Sequence, residues 1–136
     1  MQKTVTNFFL HHFDDEHLLM HSEGMSSMVP FTRTEYLHEV DITLSLLFKY
    51  DPQGWLIDFT KHVRKYSSDE IARIADIWVP VLQETHLKKV AYVVKSDSFS
   101  TEYANNLLNE TKQPQNSLPI HFRWFHDWDE AMFWLL

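Results

Sequence analysis

The sequence predicts an α/β fold, a five-stranded mixed sheet packed with helices in the order ββαβαβαβα. Three observations predict it. From Thr32 onward, segments of helical periodicity alternate with short apolar runs of strand length, and such alternation demands parallel strands joined by right-handed crossovers. Three pairs with capping-box spacing, Thr32 with Glu35, Ser67 with Glu70 and Asp127 with Glu130, mark helix starts. The residues before Gly24 read instead as a hairpin, which places an antiparallel strand at or near one edge. In 136 residues there is no linker, low-complexity tract or internal repeat, so the expectation is a single domain over residues 1–136.

Each element has its own signal. Val5–His12 and His17–Glu23 read as strands around the polar connection Asp14-Asp15-Glu16. After Thr32, the residues Leu37, Val40, Leu44, Leu47 and Phe48 recur at helical spacing, and Asp51-Pro52-Gln53-Gly54 supplies stop chemistry. Trp55–Thr60 is apolar on both faces until its end, as a strand covered on both sides should be. Ile71, Ile74, Ala75, Trp78 and Leu82 form the inward stripe of a second helix, with Pro80 expected to kink or shorten it. Lys89–Lys95 is the central parallel strand. A third helix capped by Ser96 or Ser98 follows, with Phe99, Ala104, Leu107 and Leu108 inward. Ile120–Phe125 is the last strand, and the closing helix turns Trp128, Ala131, Met132 and Leu135 to one side.

Composition removes most chemistries that announce themselves. Two isolated glycines, Gly24 and Gly54, exclude the glycine-rich dinucleotide loop, the P-loop and the nucleophile elbow. Zero cysteines exclude disulfides, thiol catalysis and cysteine metal sites. A net charge of −7 and a longest basic cluster of only Lys61, Arg64 and Lys65 argue against nucleic acid. No segment approaches the roughly 18–20 apolar residues of a membrane span. The start carries no apolar run of signal-peptide length, so the expected location is the cytoplasm.

Residues with chemical potential fall into four groups. Polar groups gather where the parallel strands should end: Asp58 with Thr60, Asp97 between Ser96 and Ser98, and His126 with Asp127. Ligands of open α/β sheets collect at such ends, so Asp58, Thr60, Asp97 and His126 form a candidate ligand site. A Ser–His–Asp hydrolase can be assembled from them only on paper, because no strained nucleophile turn or oxyanion hole accompanies them. Of the nine histidines, His11, His12, His17 and His21 lie on the opening hairpin, where two can face each other across it. No fixed spacing of carboxylates and histidines supports a metal there, and His38-Glu39-Val40-Asp41-Ile42 lacks the second histidine of a zincin motif. They read as exposed residues; no metal and no cofactor is expected. In the closing helix, Phe133, Trp134 and Leu136 lie off the inward stripe. A helix apolar nearly all round needs further burial, by its own sheet or by a second copy, so a homodimer through these residues is expected.

Two segments carry a resemblance. Trp55-Leu56-Ile57-Asp58-Phe59-Thr60 resembles a family strand ending in Asp-Leu-Ser. Phe125-His126-Asp127-Trp128-Asp129-Glu130-Ala131-Met132-Phe133-Trp134-Leu135 is similar to the F-x-D-x-x-E-A-x-x-W-L ending of small bacterial proteins of the SpoIIAA-like fold. Anti-sigma-factor antagonists, STAS domains and Sec14-type lipid-binding domains share that fold, and the element order matches over nearly the whole chain. The resemblance implies a non-enzymatic regulatory or protein-binding domain with an unidentified protein partner. Its Sec14-type relatives imply a second possibility, a small-molecule or lipid carrier. In phosphorylatable relatives an Asp-Ser-Ser-Gly motif opens a helix. Here it falls on Tyr66-Ser67-Ser68-Asp69, which makes Ser67 and Ser68 candidates for phosphorylation or partner contact, although Tyr66 and Asp69 depart from the motif. The local alternative is that Ser67 caps the second helix.

Overall fold

A computed structural model describes residues 2–6, 8–24, 33–61, 76–96, 98–111 and 119–136. In chain order the elements are β1 (Gln2–Val5), β2 (Phe9–Asp14), β3 (Leu19–Gly24), α1 (Arg33–Tyr50), β4 (Gly54–Asp58), α2 (residues 76–82), β5 (Lys89–Val93), α3 (Ser98–Thr111), β6 (His121–Phe125) and α4 (Trp128–Leu135). The six strands form one mixed sheet in the order β1-β2-β3-β4-β5-β6. β1, β2 and β3 run antiparallel to their neighbours within that trio, and β3 to β6 are mutually parallel.

The α/β class and the alternation hold; the strand count does not. The expected first strand, Val5–His12, is two strands folded on each other. Thr6 makes the fold-back. Its Oγ1 accepts from the backbone N–H of Phe8 and Phe9 at 3.2 and 2.9 Å, and its own N–H donates to Phe9 O. A threonine hydroxyl competing for backbone amides is turn chemistry, and it pairs Val5 with Leu10. The next strand starts at Leu19 rather than His17. Asp14 Oδ1 accepts from the N–H of Glu16 and His17, and Leu18 takes a positive φ of 54° to close the turn.

Strand order equal to chain order has a geometric consequence. Successive right-handed crossovers that each advance one strand all pass over the same face. Accordingly α1, α2 and α3 share one core with that face: Leu46 and Leu47 of α1, Leu82 of α2 and Leu108 of α3 pack with Met20, Trp55, Ile57, Val90 and Tyr92. The opposite face is covered by α4, whose Ala131, Met132, Trp134 and Leu135 pack on Leu56, Ala91, Val93 and Phe125. Asp127 caps α4 by accepting from Asp129 N–H at 3.0 Å. The helix runs against the strands: Trp128 stacks on His21 in β3, while Trp134 reaches Lys89 at the start of β5.

Two helices depart from their predicted faces. In α1, Val40 and Leu47 are buried as expected, but Leu37 and Phe48 are exposed, and Glu39, Thr43 and Leu46 take inward positions. The stripe is rotated because two polar residues are held inside by hydrogen bonds. In α2, Pro80 neither prevents the helix nor lets it run on. It ends at Leu82, and Thr85 N–H bonds Leu82 O in the turn that follows. Ile71–Ala75 and the Ser67/Glu70 and Thr32 caps lie outside the described residues.

Gly54 opens β4 directly opposite Leu19. A Cβ at residue 54 would sit 2.4 Å from the Cδ2 of Leu19, itself buried, and 3.4 Å from Leu135 Cδ2. Gly54→Ala therefore forces Leu19 to repack beneath the end of α4. The expected cost is about 1–3 kcal/mol, read as a lower denaturant midpoint with unchanged slope.

Candidate functional site

The polar residues at the strand ends are closer in sequence logic than in space. Asp58 Oδ1 accepts from Thr60 N–H at 2.8 Å and from Thr60 Oγ1 at 2.6 Å, a closed local turn. His126 Nδ1 donates to Val94 O at 3.2 Å, and its ring lies 5.0 Å from that of Trp124. β5 stands between β4 and β6. With neighbouring strands about 4.8 Å apart, Asp58 and His126 are separated by roughly 10 Å, so the pair is not brought together. Between β3 and β4, Lys61 Nζ donates to Glu23 Oε1 at 2.8 Å, a contact that raises the lysine pKa. Asp97, Ser67 and Ser68 lie outside the described residues.

The hairpin histidines are not the exposed set that the sequence suggests. His11 and His21 are buried, and they point to opposite faces. On the α4 face, His12 and His21 are directly paired across β2 and β3 with ring centroids 4.7 Å apart. Trp128 stacks on the other side of His21 at 5.8 Å and remains 42% exposed. α4 covers β4 to β6, so the β1–β3 half of this face is left without a helix among the described residues. Burial holds both imidazoles below the usual histidine value. Lys3 adds to the effect on His12, with Glu23 and Asp14 opposing it, and His12 adds to the effect on His21, with Asp14 opposing it.

On the opposite face, under α1, sits a polar chain that the sequence analysis missed. Trp55 Nε1–H donates to Ser22 Oγ at 2.8 Å, and Ser22 Oγ lies 2.7 Å from His11 Nδ1. Thr43 Oγ1 donates to Glu39 O at 2.9 Å, which leaves it to accept from His11 Nε2 at 3.4 Å. A neutral His11 is therefore the Nε2–H tautomer here, with Nδ1 accepting the Ser22 hydroxyl proton. Thr6 Oγ1 donates to Glu39 Oε1, which stands 3.6 Å from His11 Nε2. Ser22, His11 and Glu39 have the composition of a nucleophile–base–acid triad. But Ser22 is 1% exposed and its hydroxyl already accepts from Trp55 and donates to His11. The arrangement ties β1, β2, β3, β4 and α1 together rather than presenting a nucleophile. One signal could have revealed it: Glu39 and Thr43 stand i, i+4 on α1, and His11 alternates with Phe9 and Phe13 on β2.

Asp14, Glu16 and His17 bring their ligand atoms within 4.8 Å of one another, but the 2.7 Å contact of His17 Nδ1 with Asp14 Oδ2 and the turn amides account for that geometry. Of the residues expected to lie off the inward stripe of α4, Phe133 is 87% exposed and Leu136 is exposed as well. Trp134 is not: its ring packs 5.7 Å from Phe125, Lys89 Nζ lies over it, and that same ammonium caps Trp134 O at 2.8 Å. No described helix is long and apolar enough to cross a membrane. No protein-family model, curated protein or solved structure matches the chain.

Two outcomes follow from this geometry. Ser22→Ala strands the Trp55 indole N–H and His11 Nδ1 in a dry site and is expected to cost about 2–4 kcal/mol, measured by chemical denaturation. The pH response has a definite sign. A histidine whose folded pKa is depressed contributes stability that is complete above its unfolded pKa and is lost as the pH falls through it. The His12 and His21 contribution should therefore fall between about pH 7 and pH 5, while His17, whose pKa is raised by Asp14, acts in the opposite sense. Replacing both His12 and His21 with Asn should flatten that slope; an unchanged slope in the double variant would assign it to other groups.

Proposed function

We propose that the chain is a non-enzymatic, protein-binding regulatory module of SpoIIAA/STAS-like architecture, and that it binds through its α4 side. The observation that carries this is the unequal cover of the two sheet faces. The α1–α3 side is closed by three helices, whereas the α4 side leaves Val5 66% exposed, along with Trp128, Phe133 and Leu136. Leu37 and Phe48 of α1 are exposed as well, but the α4 side holds the larger set, with Phe133 the most exposed of all, and such apolar side chains suit a docking surface. The engagement of Asp58 with Thr60 and of His126 with Val94 O supports a binding role over hydrolysis at the strand ends. Mutual packing of the interior aromatics, Trp55 on Trp78 at 5.5 Å and Tyr92 on Phe122 at 6.2 Å, favours a filled core over the cavity of a lipid carrier.

A second copy of the chain is the first partner to test, because the outer side of α4 offers Phe133 and Leu136 beside the acidic Asp129 and Glu130. Sedimentation equilibrium at micromolar concentration should show a dimer. Phe133→Ser combined with Leu136→Ser should return it to a monomer with unchanged circular dichroism. A wild-type chain that is monomeric throughout would remove self-association and leave a different protein as the partner.

A further inference from the structure

We infer that His12 and His21 form a binding site for a borderline divalent transition ion of the Zn²⁺ or Cu²⁺ class on the α4 face of the sheet, beside Trp128. The starting observation is a buried polar side chain without a hydrogen bond. Five polar or charged side chains are fully buried among the described residues: His11, Ser22, Glu39, Thr43 and His21. The first four belong to the hydrogen-bonded chain under α1. His21, only 7% exposed, touches His12 and Trp128 through ring contacts and makes no hydrogen bond among the described residues. A buried imidazole always has one nitrogen with a free lone pair and one N–H to place, so its isolation calls for an occupant.

The neighbourhood fits a metal better than a hydrogen-bonding side chain. The residue directly across the ladder is a second imidazole, at a centroid separation of 4.7 Å. An ion bonded at about 2.0–2.1 Å to one nitrogen of each ring lies roughly 3 Å from each centroid. A 4.7 Å separation is then bridged with an angle near a right angle at the ion. Both ligands sit on paired strands of the sheet, which fixes their spacing before any ion arrives. The strand period puts Asp14 and Glu23 on the same face, two residues beyond His12 and His21. They add negative charge near the pair, and Lys3, opposite His12, subtracts from it. Asp14 is held by His17 and Glu23 by Lys61, so water completes the coordination. Imidazole nitrogen ligands select zinc, copper and nickel over magnesium and calcium. The site is independent of whatever protein the α4 side docks.

The test uses the purified full chain, with Cu²⁺ followed by tryptophan fluorescence and Zn²⁺ followed by calorimetry and thermal melting. Cu²⁺ should quench a component of the emission that is absent in Trp128→Phe, since that indole stacks on a ligand ring. Zn²⁺ should bind at one site per chain and raise the melting temperature by mass action. Both responses should be lost in His12→Ala and in His21→Phe; the second variant keeps the packing against Trp128 and is checked by circular dichroism. His17→Ala should leave binding intact, which separates this pair from the turn cluster of Asp14, Glu16 and His17. No stoichiometric Zn²⁺ binding, binding that survives in the His12→Ala/His21→Phe double variant, or binding lost with His17→Ala would each overturn the assignment.

Discussion

The hydrogen-bonded chain from Trp55 through Ser22, His11 and Thr43 to Glu39 and Thr6 is the constraint on which the rest of the structure depends. From Trp55 to Glu39 every link is buried, and the directions are constrained: the indole only donates, and Thr43 spends its proton on Glu39 O. Placing these groups in the core costs several kilocalories per mole unless every one finds its partner. The arrangement of β1 to β4 and α1 that pairs them all is thereby separated from its competitors. A one-residue slip of β2 against β3 would carry His11 to the other face, away from Ser22. Apolar packing alone would tolerate several registers here, because His12 and Leu10 are no less able than Phe9 to lie against a helix. The polar chain does not tolerate them.

That constraint also explains the division of labour between the faces. The α1–α3 side is filled: aromatic rings stack on one another beneath the helices, and α1 is rotated so that Glu39 and Thr43 face the sheet. Among the described residues the other side is served by one short helix, anchored at its start by Asp127 and at its end by Lys89 on Trp134 O. Beyond that helix, among the described residues, this side carries the antiparallel trio, where His12 pairs with the buried His21 and Trp128 stacks on it. The rigid half of the molecule and the surface available for recognition are thus back to back across one sheet.

Much of this was legible in the sequence, for reasons that can be named. Alternating helical and strand periods gave the parallel part, Leu19 to Phe125, because burial on both faces writes near-continuous apolar runs such as Leu56-Ile57 and Val90-Ala91-Tyr92-Val93. The cap at Asp127 was legible because capping is local. The split of the first strand was not, since Thr6 is an ordinary strand residue unless its hydroxyl is seen to compete for backbone amides. Nor was the true inward face of α1: hydropathy assigns Glu39 and Thr43 to water, and only a partner from β2, distant in sequence, reverses that. The strand-end residues are a related case. Sequence places Asp58 and His126 at ends of parallel strands, with the central strand between them, and the structure shows that each is engaged locally, Asp58 by Thr60 and His126 by Val94 O. The pairing of His12 with His21 was half visible, as two imidazoles able to meet across a hairpin. The burial of His21 was not, because Trp128 from the last helix, distant in sequence, stacks on it.

Strand order that repeats chain order has a kinetic meaning as well as a geometric one. Every strand pairs with the strand made just before it, so no strand has to wait for a distant segment or insert between two already paired. Each crossover closes one loop of moderate length, and the entropy cost of closure grows only slowly with that length. Assembly can advance from the hairpin outward, one unit at a time, with the growing edge always being the next docking template. Among parallel sheets, whose long-range pairings usually make folding slow, this topology keeps the search local. Among the described strands β6 is the last to join, and it docks on β5, the strand made just before it.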